Sequence, residues 1–196
     1  MLTTTLSFEN IHNHGELFAN MLRARRELFI VHNKWDLPEA LGMEYDQYDT
    51  PASRWVVVHD ELGKVLAGNR LTPTTAKCGI YSYMIRDAQL GLLDTIPSHL
   101  LYEPAPVAET VWESSRLFVS HDVPAAIRRR VHARLVYELS KAARNLGATQ
   151  CLTLLNANWP RWAARVGVDM TAMGPAMEID GIMNQVVSMN FASNLH

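Results

Sequence analysis

The chain has 196 residues, a length that suits one domain built around a single hydrophobic core. Its formal net charge is -2, so overall charge gives no indication of nucleic-acid binding. Hydrophobic residues make up 48% of the chain, which argues against disorder, yet no apolar stretch is long enough to insert into a membrane.

The first half of the chain predicts a helix, a long loop and a β-hairpin. Residues 14–31 have apolar side chains near helical spacing and predict an amphipathic helix. Residues 33–51 lack periodicity, and a loop this long is usually functional or mobile, so we interpret 14–51 as a mobile lid over a binding site. Arg54–His59 predicts a strand whose antiparallel partner returns at 64–71.

The second half of the chain predicts a strand–helix–strand unit followed by further strands. Pro124 suits the first turn of a long helix, and Gly147 suits its cap. The antiparallel start and the strand–helix–strand unit together imply an α/β fold, with a mixed β-sheet flanked by helices in one domain spanning 1–196. The predicted elements of this half are a helix at 85–93, a strand at 110–119, a helix at 124–146, a strand at 150–155, a helix at 159–166, and strands at 170–179 and 181–190.

Two further features bear on where the protein acts. Cys78 and Cys151 lie far apart and form no CxxC motif, so we expect both to be reduced thiols. The N-terminal residues have neither a basic segment nor a long apolar run, so no signal peptide is predicted. We therefore expect a cytoplasmic protein.

Residues 42–50 are the most informative stretch, because they place three carboxylates and two aromatic rings within nine positions. Carboxylates this close repel one another, so either their pKa values are raised or a cation lies among them. An arginine-rich helix and Trp35 precede the stretch. The pattern predicts a site that holds a zwitterion carrying extra positive charge. The three carboxylates are those of Glu44, Asp46 and Asp49.

Other charged and aromatic residues have both a functional and a structural interpretation. Arg25 and Phe29 share one face of the predicted helix, which also fits a core aromatic residue beside a solvated arginine. Arg70, at the end of the second hairpin strand, is either a site residue or a surface charge. Strand alternation directs Glu113 and Arg116 to opposite faces unless a bulge intervenes, which weakens the case that both serve one site.

The sequence contains no motif for a metal or a cofactor. Its eight histidines have no metal-ligand spacing, and neither a P-loop nor a dinucleotide-binding motif occurs. No serine, cysteine or threonine has the context of a covalent nucleophile. The long helix begins with a basic patch, which indicates either a solvated face or a surface for an acidic partner. The arginines of this patch are Arg128, Arg129, Arg130 and Arg134.

Three sequence strings together resemble the acyl-homoserine-lactone synthase (autoinducer synthase) family of quorum-sensing bacteria. They are Glu-Tyr-Asp-Gln-Tyr-Asp at 44–49, Arg-Leu-Thr-Pro-Thr-Thr at 70–75 and Trp-Glu-Ser-Ser-Arg at 112–116. The resemblance extends over most of the chain and implies the α/β/α sandwich of the GNAT N-acyltransferases. The segment 84–89 and the long stretch that follows it depart from the family's commoner pattern, which leaves the acyl-chain and donor preferences open.

The resemblance also implies a reaction. The amino group of S-adenosylmethionine is joined to an acyl group delivered as a thioester of acyl carrier protein or coenzyme A. The methionine portion then closes to a lactone, and methylthioadenosine leaves. S-adenosylmethionine and the thioester are both substrates in this reaction, so the resemblance implies no cofactor and no metal.

The resemblance gives each candidate site residue a role. Asp46 and Asp49 neutralise the sulfonium and ammonium of S-adenosylmethionine, and an arginine binds its carboxylate as a bidentate fork. Glu113 is the candidate general base, with Arg116 and Asp46 as further catalytic residues. The arginine candidates are Arg25, Arg70 and Arg116, and the residues expected to shield the nucleotide end and attract the sulfonium are Phe29 and Trp35.

An acyl chain needs an apolar tunnel, and the second half of the chain offers lining residues. Thr153 stands where the family often has a threonine facing the third acyl carbon, although a β-branched residue in a strand core explains it equally well. The resemblance implies that the basic patch on the long helix meets acyl carrier protein. The candidate acyl-chain residues are Leu152, Thr153, Leu154, Val168 and Met173.

Two other functions remain open at this point. A general N-acyltransferase of the same fold would use acyl-CoA and a different amine, and it would need no pocket for a sulfonium. A binding module that senses acyl lactones or nucleotides is the non-enzymatic alternative, although no basic helix-turn-helix is predicted. Release of methylthioadenosine separates the synthase from both.

Overall fold

The structure is a computed structural model that describes residues 1–191. The chain divides into two compact units, the first formed by residues 1–71 and 116–142 and the second by residues 72–115 and those from 143 onward. Of the three sequence breaks between the units, two fall within strands and one falls within a helix, so each unit takes a part of all three elements. The prediction of one domain over 1–196, with a mobile lid at 14–51, stays a prediction.

The first unit combines an antiparallel sheet with two helices. Its elements are β1 (Leu2–Leu6), α1 (Leu17–Arg26), β2 (Glu39–Ala40), β3 (Met43–Glu44), β4 (Arg54–His59), β5 (Val65–Pro73, up to Leu71), the end of β6 (Val111–Val119) and most of α3 (Ala125–Asn145). The main strands follow the order β1, β4, β5, β6, and β4 pairs antiparallel with both β1 and β5. α1 continues directly into a π-helical turn at Glu27–His32.

The second unit contains the parallel pairing of the sheet. Its elements are the end of β5, α2 (Met84–Gln89), the start of β6, β7 (Gln150–Asn156), α4 (Trp159–Val166), β8 (Met170–Ala172), β9 (Met177–Ile179) and β10 (Ile182–Asn190). β6 pairs in parallel with β7, which pairs antiparallel with β10, and both β8 and β9 pair with β10. Parallel and antiparallel pairs therefore occur together, which confirms the predicted α/β fold with a mixed sheet flanked by helices.

The core of the first unit packs α1 against the sheet. Leu17 and Met21 are buried on one face of α1, and they cluster with Trp55 and Val57 of β4 and with Phe118 of β6. This spacing of apolar residues explains why the segment is helical, because burial of one face stabilises an amphipathic helix. Arg25 lies one to two turns further along the same face and is also buried, so packing of α1 fixes where its guanidinium lies.

The core of the second unit, which we call the α2 cluster, surrounds helix α2. Residues of α2 pack there against side chains from β6, β7 and β10. The segment before β6 joins the cluster through Leu100, and it passes close to Gly174. A Cβ at position 174 would lie 1.9 Å from the carbonyl oxygen of Leu100, so only glycine allows this approach. The buried members of the α2 cluster are Tyr83, Ile85, Ala88, Leu100, Val111, Leu152, Met177 and Val186.

Most predicted helices and strands occur within two residues of their expected bounds, with five local differences. The helix predicted at 85–93 ends four residues earlier, since α2 ends at Gln89. Strand β1 was not predicted, because Leu-Thr-Thr-Thr-Leu is short and does not alternate. The helix predicted at 14–31 starts later and becomes π-helical from Glu27, and the loop predicted at 33–51 contains the hairpin of β2 and β3. The single strand predicted at 170–179 is split into β8 and β9 by the close approach at Gly174.

Candidate active site

A tight turn in the first unit brings two of the clustered carboxylates together. The backbone N–H of Asp49 donates to the carbonyl oxygen of Asp46 at 3.1 Å and closes the turn. The Asp46 N–H donates to the Asp49 carboxylate at 3.0 Å, and the Tyr48 N–H donates to Oδ1 of Asp46 at 2.9 Å. Aspartate favours such turns because its carboxylate accepts nearby backbone N–H groups. The turn thereby fixes the position of both side chains.

Three arginines and three carboxylates of this unit form a closed ring of ion pairs, which we call the charge ring. Positive and negative side chains alternate, so each arginine contacts two carboxylates and each carboxylate contacts two arginines. Three charges of each sign make the ring neutral overall. The order around it is Arg25, Glu44, Arg116, Asp46, Arg70, Asp49 and back to Arg25.

The strongest contacts in the ring are two bidentate forks. Arg25 donates from Nη1 and Nη2 to the two oxygens of Asp49 at 2.8 and 3.0 Å, and from Nε to Glu44. Arg70 donates to both oxygens of Asp46 and also lies 3.1 Å from Asp49. A guanidinium fork matches the planar carboxylate and fixes its orientation. These forks tie α1 and β5 to the turn.

Arg116 completes the ring from strand β6. Its Nε donates to Glu44 at 3.1 Å, and its Nη2 lies 2.9 Å from Asp46. The φ angle of Arg116 is 52°, a left-handed conformation that is uncommon for residues other than glycine. This conformation interrupts the strand alternation, as a β-bulge does. From this left-handed position Arg116 reaches the ring.

The clustered carboxylates have cations among them, and these cations belong to the chain itself. Burial alone would raise the pKa of Asp46, but the charges of Arg70 and Arg116 outweigh it and hold this pKa below its ordinary value. The pKa of Asp49 is lowered in the same way, because Arg70 and Arg25 outweigh the effect of burial. Of the two sequence-based alternatives, raised pKa values are therefore wrong, and neighbouring cations are right.

The charge ring has a buried side and an accessible side. Its inner members have side chains at most 1% exposed, and they are Arg25, Glu44 and Arg70. Its outer members are 12%, 7% and 5% exposed, in the order Arg116, Asp49 and Asp46. A ligand that reaches the ring therefore meets one guanidinium and two carboxylates. The inner members act on it only through these three.

Aromatic side chains lie against the charge ring. Phe29 and Trp35 stack with their ring centroids 5.1 Å apart and their planes 3° apart. The Arg116 guanidinium lies 5.8 Å from the centroid of Phe29. Trp55 donates from Nε1 to Oδ1 of Asp49 at 3.0 Å. Trp35 is 39% exposed, so the aromatic stack borders the solvent beside the outer members.

Glu113 lies in the second unit and makes its described contacts with helix α2. Its side chain is fully buried and accepts the backbone N–H of Met84 at 3.3 Å and that of Ile85 at 2.8 Å. That Glu113, Arg116 and Asp46 serve one catalytic site stays a prediction.

Three of the five candidate acyl-chain residues belong to the apolar core around α2. Leu152 is a buried member of the α2 cluster, and Leu154 and Met173 pack against it. Thr153 is buried on β7 and Val168 is half-buried, but neither belongs to the cluster. Alternation along β7 explains the position of Thr153, because its neighbours on either side face the cluster.

The basic patch on α3 is divided between anchored and exposed arginines. Arg128 donates to the carbonyl oxygens of Ser120 and His121, at 3.0 and 2.9 Å, so it fixes the end of β6. Arg134 forms an i,i+4 ion pair with Glu138 at 2.9 Å. Arg129 and Arg130 are exposed at the start of the helix. These last two remain the best candidates for contact with an acidic partner.

The structure also identifies site residues that had no assigned role. Glu44 was recognised as part of the acidic stretch, but its position as a buried link between Arg25 and Arg116 depends on the hairpin of β2 and β3. Trp55 reads in sequence as an ordinary strand residue, and only its hydrogen bond to Asp49 reveals its second role. No local pattern in the sequence signals either contact.

Metal binding and membrane spanning find no support within residues 1–191. Among these residues, no group of three or more histidine, cysteine, aspartate or glutamate side chains is arranged to hold a metal ion. No helix in the same range is both long enough and apolar enough to cross a membrane.

Comparison with known proteins defines the class of this chain. The model of the autoinducer synthase family matches residues 9–193, so the chain belongs to this family. An acyl-homoserine-lactone synthase of Acinetobacter nosocomialis is 28% identical over 180 residues, which cover 89% of this chain and 91% of the relative. The family and the enzyme class predicted from the sequence strings, an acyltransferase, are confirmed.

Two solved structures show how widely the fold is shared. The CoA-dependent acyl-homoserine lactone synthase BjaI, solved with S-adenosylmethionine and isopentyl-CoA, has a TM-score of 0.80 and 19% identity, covering 97% of this chain and 83% of BjaI. An acyl-CoA N-acyltransferase from Pseudomonas aeruginosa has a TM-score of 0.62 and 17% identity, covering 96% of this chain and 99% of that protein. The predicted likeness to N-acyltransferases is confirmed at the level of fold.

Proposed function

We propose that the chain synthesises an acyl-homoserine lactone from S-adenosylmethionine and an acyl thioester. The observation that carries this proposal is the accessible side of the charge ring, which offers one arginine and two carboxylates. The reactive end of S-adenosylmethionine carries one carboxylate and two cations, an ammonium and a sulfonium. Its charges therefore complement the outer members of the ring one for one.

This complementarity assigns each outer member a partner. Arg116 binds the carboxylate of S-adenosylmethionine, and Asp46 and Asp49 face its ammonium and sulfonium. Both aspartates stay ionised over the physiological pH range because their pKa values are lowered, so they are available to cations. Arg25 and Arg70, also candidates for the carboxylate, instead hold the two aspartates in place from the buried side.

The aromatic stack supports the same orientation. The face of an aromatic ring attracts a cation through its quadrupole, and the effect strengthens where water is excluded. Phe29 and Trp35 lie next to Arg116, so they can cover the sulfonium and the nucleotide end while the amino-acid end contacts the ring. An ordinary N-acyltransferase has no need of such a pocket, which favours the synthase over the general acyltransferase.

The reaction consists of two bond exchanges. The ammonium of S-adenosylmethionine first gives up one proton to a general base, directly or through water. The amine nitrogen then attacks the thioester carbonyl, the carbon–sulfur bond of the thioester breaks, and the carrier leaves as a thiol that has taken up the second amine proton. The carboxylate oxygen then attacks the γ-carbon of the methionine portion, the bond from this carbon to the sulfonium breaks, and methylthioadenosine leaves. Fixing the carboxylate at Arg116 supports this second step, since an oriented intramolecular attack needs little else.

The acyl donor is proposed to place its chain in the α2 cluster. Three candidate acyl-chain residues lie in or against this cluster, which offers apolar surface in the second unit. The thiol carrier is coenzyme A or acyl carrier protein. BjaI was solved with an acyl-CoA. The exposed Arg129 and Arg130 favour an acidic carrier protein, because such patches speed the encounter of oppositely charged partners. We expect the reaction to take place in the cytoplasm.

A product assay tests the proposed function. The purified chain is incubated with S-adenosylmethionine and a panel of acyl-carrier and acyl-CoA thioesters, and the products are measured by mass spectrometry. We expect an acyl-homoserine lactone and methylthioadenosine in equal amounts, and the mass of the lactone identifies the acyl chain. Consumption of thioester without methylthioadenosine would contradict the synthase and support the acyltransferase that uses another amine.

A further inference from the structure

We propose that Glu113 is a positioning residue that caps the start of α2 and thereby holds one wall of the acyl-chain site. The inference rests on the proposed function, because it takes the α2 cluster as the place where the acyl chain binds. It assigns to Glu113 a task other than that of the general base.

The contacts of Glu113 are those of a helix cap. Its two carboxylate oxygens accept the N–H groups of Met84 and Ile85, the first two residues of α2. The residue at the usual capping position, Tyr83, makes no side-chain hydrogen bond to the helix start. The first N–H groups of any helix lack partners within the helix, and a negative charge at that end is also favourable. Glu113 lies on β6, and it supplies both the hydrogen-bond acceptors and the negative charge to the start of α2.

Helix α2 needs this support because it is short. It spans six residues, and a helix of this length is not stable in water without tertiary contacts. Glu113 is fully buried, so its hydrogen bonds to α2 do not compete with bulk water. Burial and the nearby Glu113 charge together raise the pKa of the Tyr83 hydroxyl, which donates to the carbonyl oxygen of Pro106 at 2.6 Å. The Glu113 carboxylate therefore lies close to both the start of α2 and the side chain of Tyr83.

The position of α2 matters for the acyl chain because the helix forms part of the α2 cluster. Ile85 and Ala88 project from α2 into the same apolar core as Leu152 and Met177. A shift of the helix start moves these side chains relative to the strands. Glu113 therefore affects which acyl groups fit, and it does so through α2 without touching the substrate.

The contacts argue against the role of general base. A general base must come within hydrogen-bond reach of the amine, directly or through one water. Both oxygens of Glu113 are already engaged with backbone N–H groups that have no alternative acceptor inside a short helix. Protonation of Glu113 in each turnover would remove the negative charge that strengthens its hydrogen bonds to the start of α2.

The variant Glu113→Gln distinguishes the two roles, because an amide keeps one acceptor oxygen but turns an N–H donor toward the second N–H of α2. For a cap, we expect the KM for the acyl donor to rise by about tenfold, the factor typical of one lost charge-assisted hydrogen bond, while the KM for S-adenosylmethionine changes less than about twofold. The pH–rate profile should keep its shape. Hydrogen exchange at the amides of Met84 and Ile85 should become faster.

The opposite set of results would overturn the inference. A loss of the pH dependence, with an unchanged acyl-donor KM and unchanged amide exchange, would identify Glu113 as the base. The matched control is Glu178→Gln on β9, an exposed glutamate of the same unit, which should alter none of these quantities. If Glu113→Gln does not fold, Glu113→Asp keeps the charge on a shorter arm, and the same measurements apply.

Failure of the proposed function can be told apart from failure of the cap. If the parent chain makes no lactone with any donor, the proposed function is wrong, and the KM comparison has no meaning. Amide exchange at the start of α2 still decides whether Glu113 is a cap, because it does not depend on turnover. Unchanged exchange in a folded Glu113→Gln variant would contradict the cap on its own.

Discussion

Each side chain of the charge ring is held by two neighbours of opposite sign. Removing one buried member leaves its two neighbours, which both carry the opposite charge to it, with one ion-pair contact each. Water cannot replace the lost contact there. Such losses are large, about 3–5 kcal/mol for a buried pair. The difference between inner and outer members therefore predicts two different consequences of mutation.

The variant Glu44→Gln should mainly lower stability. It removes an inner carboxylate shared by Arg25 and Arg116, and we expect the free energy of unfolding to fall by about 3–5 kcal/mol in urea titrations.

The variant Asp46→Asn should mainly lower the affinity for S-adenosylmethionine, by about 100-fold in calorimetry, while the chain stays folded. Parent-like affinity in Asp46→Asn would remove Asp46 from the binding site.

The same charges predict how stability depends on pH. The pKa values of Asp46 and Asp49 are lowered in the folded chain, so the stability they contribute is present above the ordinary aspartate pKa of about 3.9 and declines as the pH falls from there toward the lowered native values. We expect a steep fall in the free energy of unfolding below about pH 4. The double variant Asp46→Asn/Asp49→Asn should show a shallower slope in urea titrations from pH 3 to pH 7, and an identical slope would contradict the assignment.

At the scale of elements, the connection between α2 and β6 contributes the side chain of Leu100 to the α2 cluster. Leu100 is fully buried there, and the N–H of Tyr102 donates to the carbonyl oxygen of Met173 at 3.0 Å. Gly174 makes this contact possible, since a side chain at that position would collide with the backbone of Leu100. The long stretch that departs from the family pattern therefore contributes to the α2 cluster, which we propose as the acyl-chain site.

This placement predicts that Leu100 limits the acyl chain. Leu100→Ala should open space in the α2 cluster and shift the preferred donor toward longer acyl chains, by about tenfold in relative kcat/KM. Leu135→Ala is the matched control, because Leu135 on α3 is equally buried but lies in the first unit. Both variants should lose about 2–5 kcal/mol of stability. If the preferred acyl-chain length shifts equally in both variants, the shift comes from lost stability and not from the position of Leu100.

The elements that the sequence predicted well are those with strong local patterns. α3 begins after Pro124 and is followed by Gly147, and α4 ends at Gly167 in the left-handed conformation, as the proline and glycine signals indicated. The π-helical turn was not predictable, since a single turn is too short for its wider i→i+5 spacing to be told apart from α-helical spacing in the sequence. It nonetheless affects the site, because it carries Phe29 and is followed closely by Trp35.

The candidate site was predictable in part. The acidic stretch was found because like charges so close in sequence need an explanation, and neighbouring cations were one of the two explanations that this argument offered. The identity of those cations did not follow, because Arg25, Arg70 and Arg116 come from elements far apart along the chain. Their pairing depends on the packing of α1 and on the left-handed backbone at Arg116, neither of which leaves a local signal.

At the scale of the whole molecule, charge is distributed unevenly although the net charge is only -2. Reversing the exposed pair with Arg129→Glu/Arg130→Glu should slow the reaction with acyl carrier protein, and more strongly at low salt, because screening weakens at low ionic strength. Lys141→Glu on the same helix is the control and should have a smaller effect. Equal rates for the double variant and the parent would mean that these arginines form only a solvated face.

The central claim is that the outer members of the charge ring recognise the charges of S-adenosylmethionine, including its sulfonium. Calorimetric titration with S-adenosylmethionine and with S-adenosylhomocysteine, which keeps the ammonium and carboxylate but has a neutral thioether in place of the sulfonium, tests this most directly. We predict that the parent chain binds S-adenosylmethionine at least about tenfold more tightly, as one extra charge contact implies, and that Asp46→Asn/Asp49→Asn removes the difference. Equal affinity of the parent chain for both compounds would contradict the account.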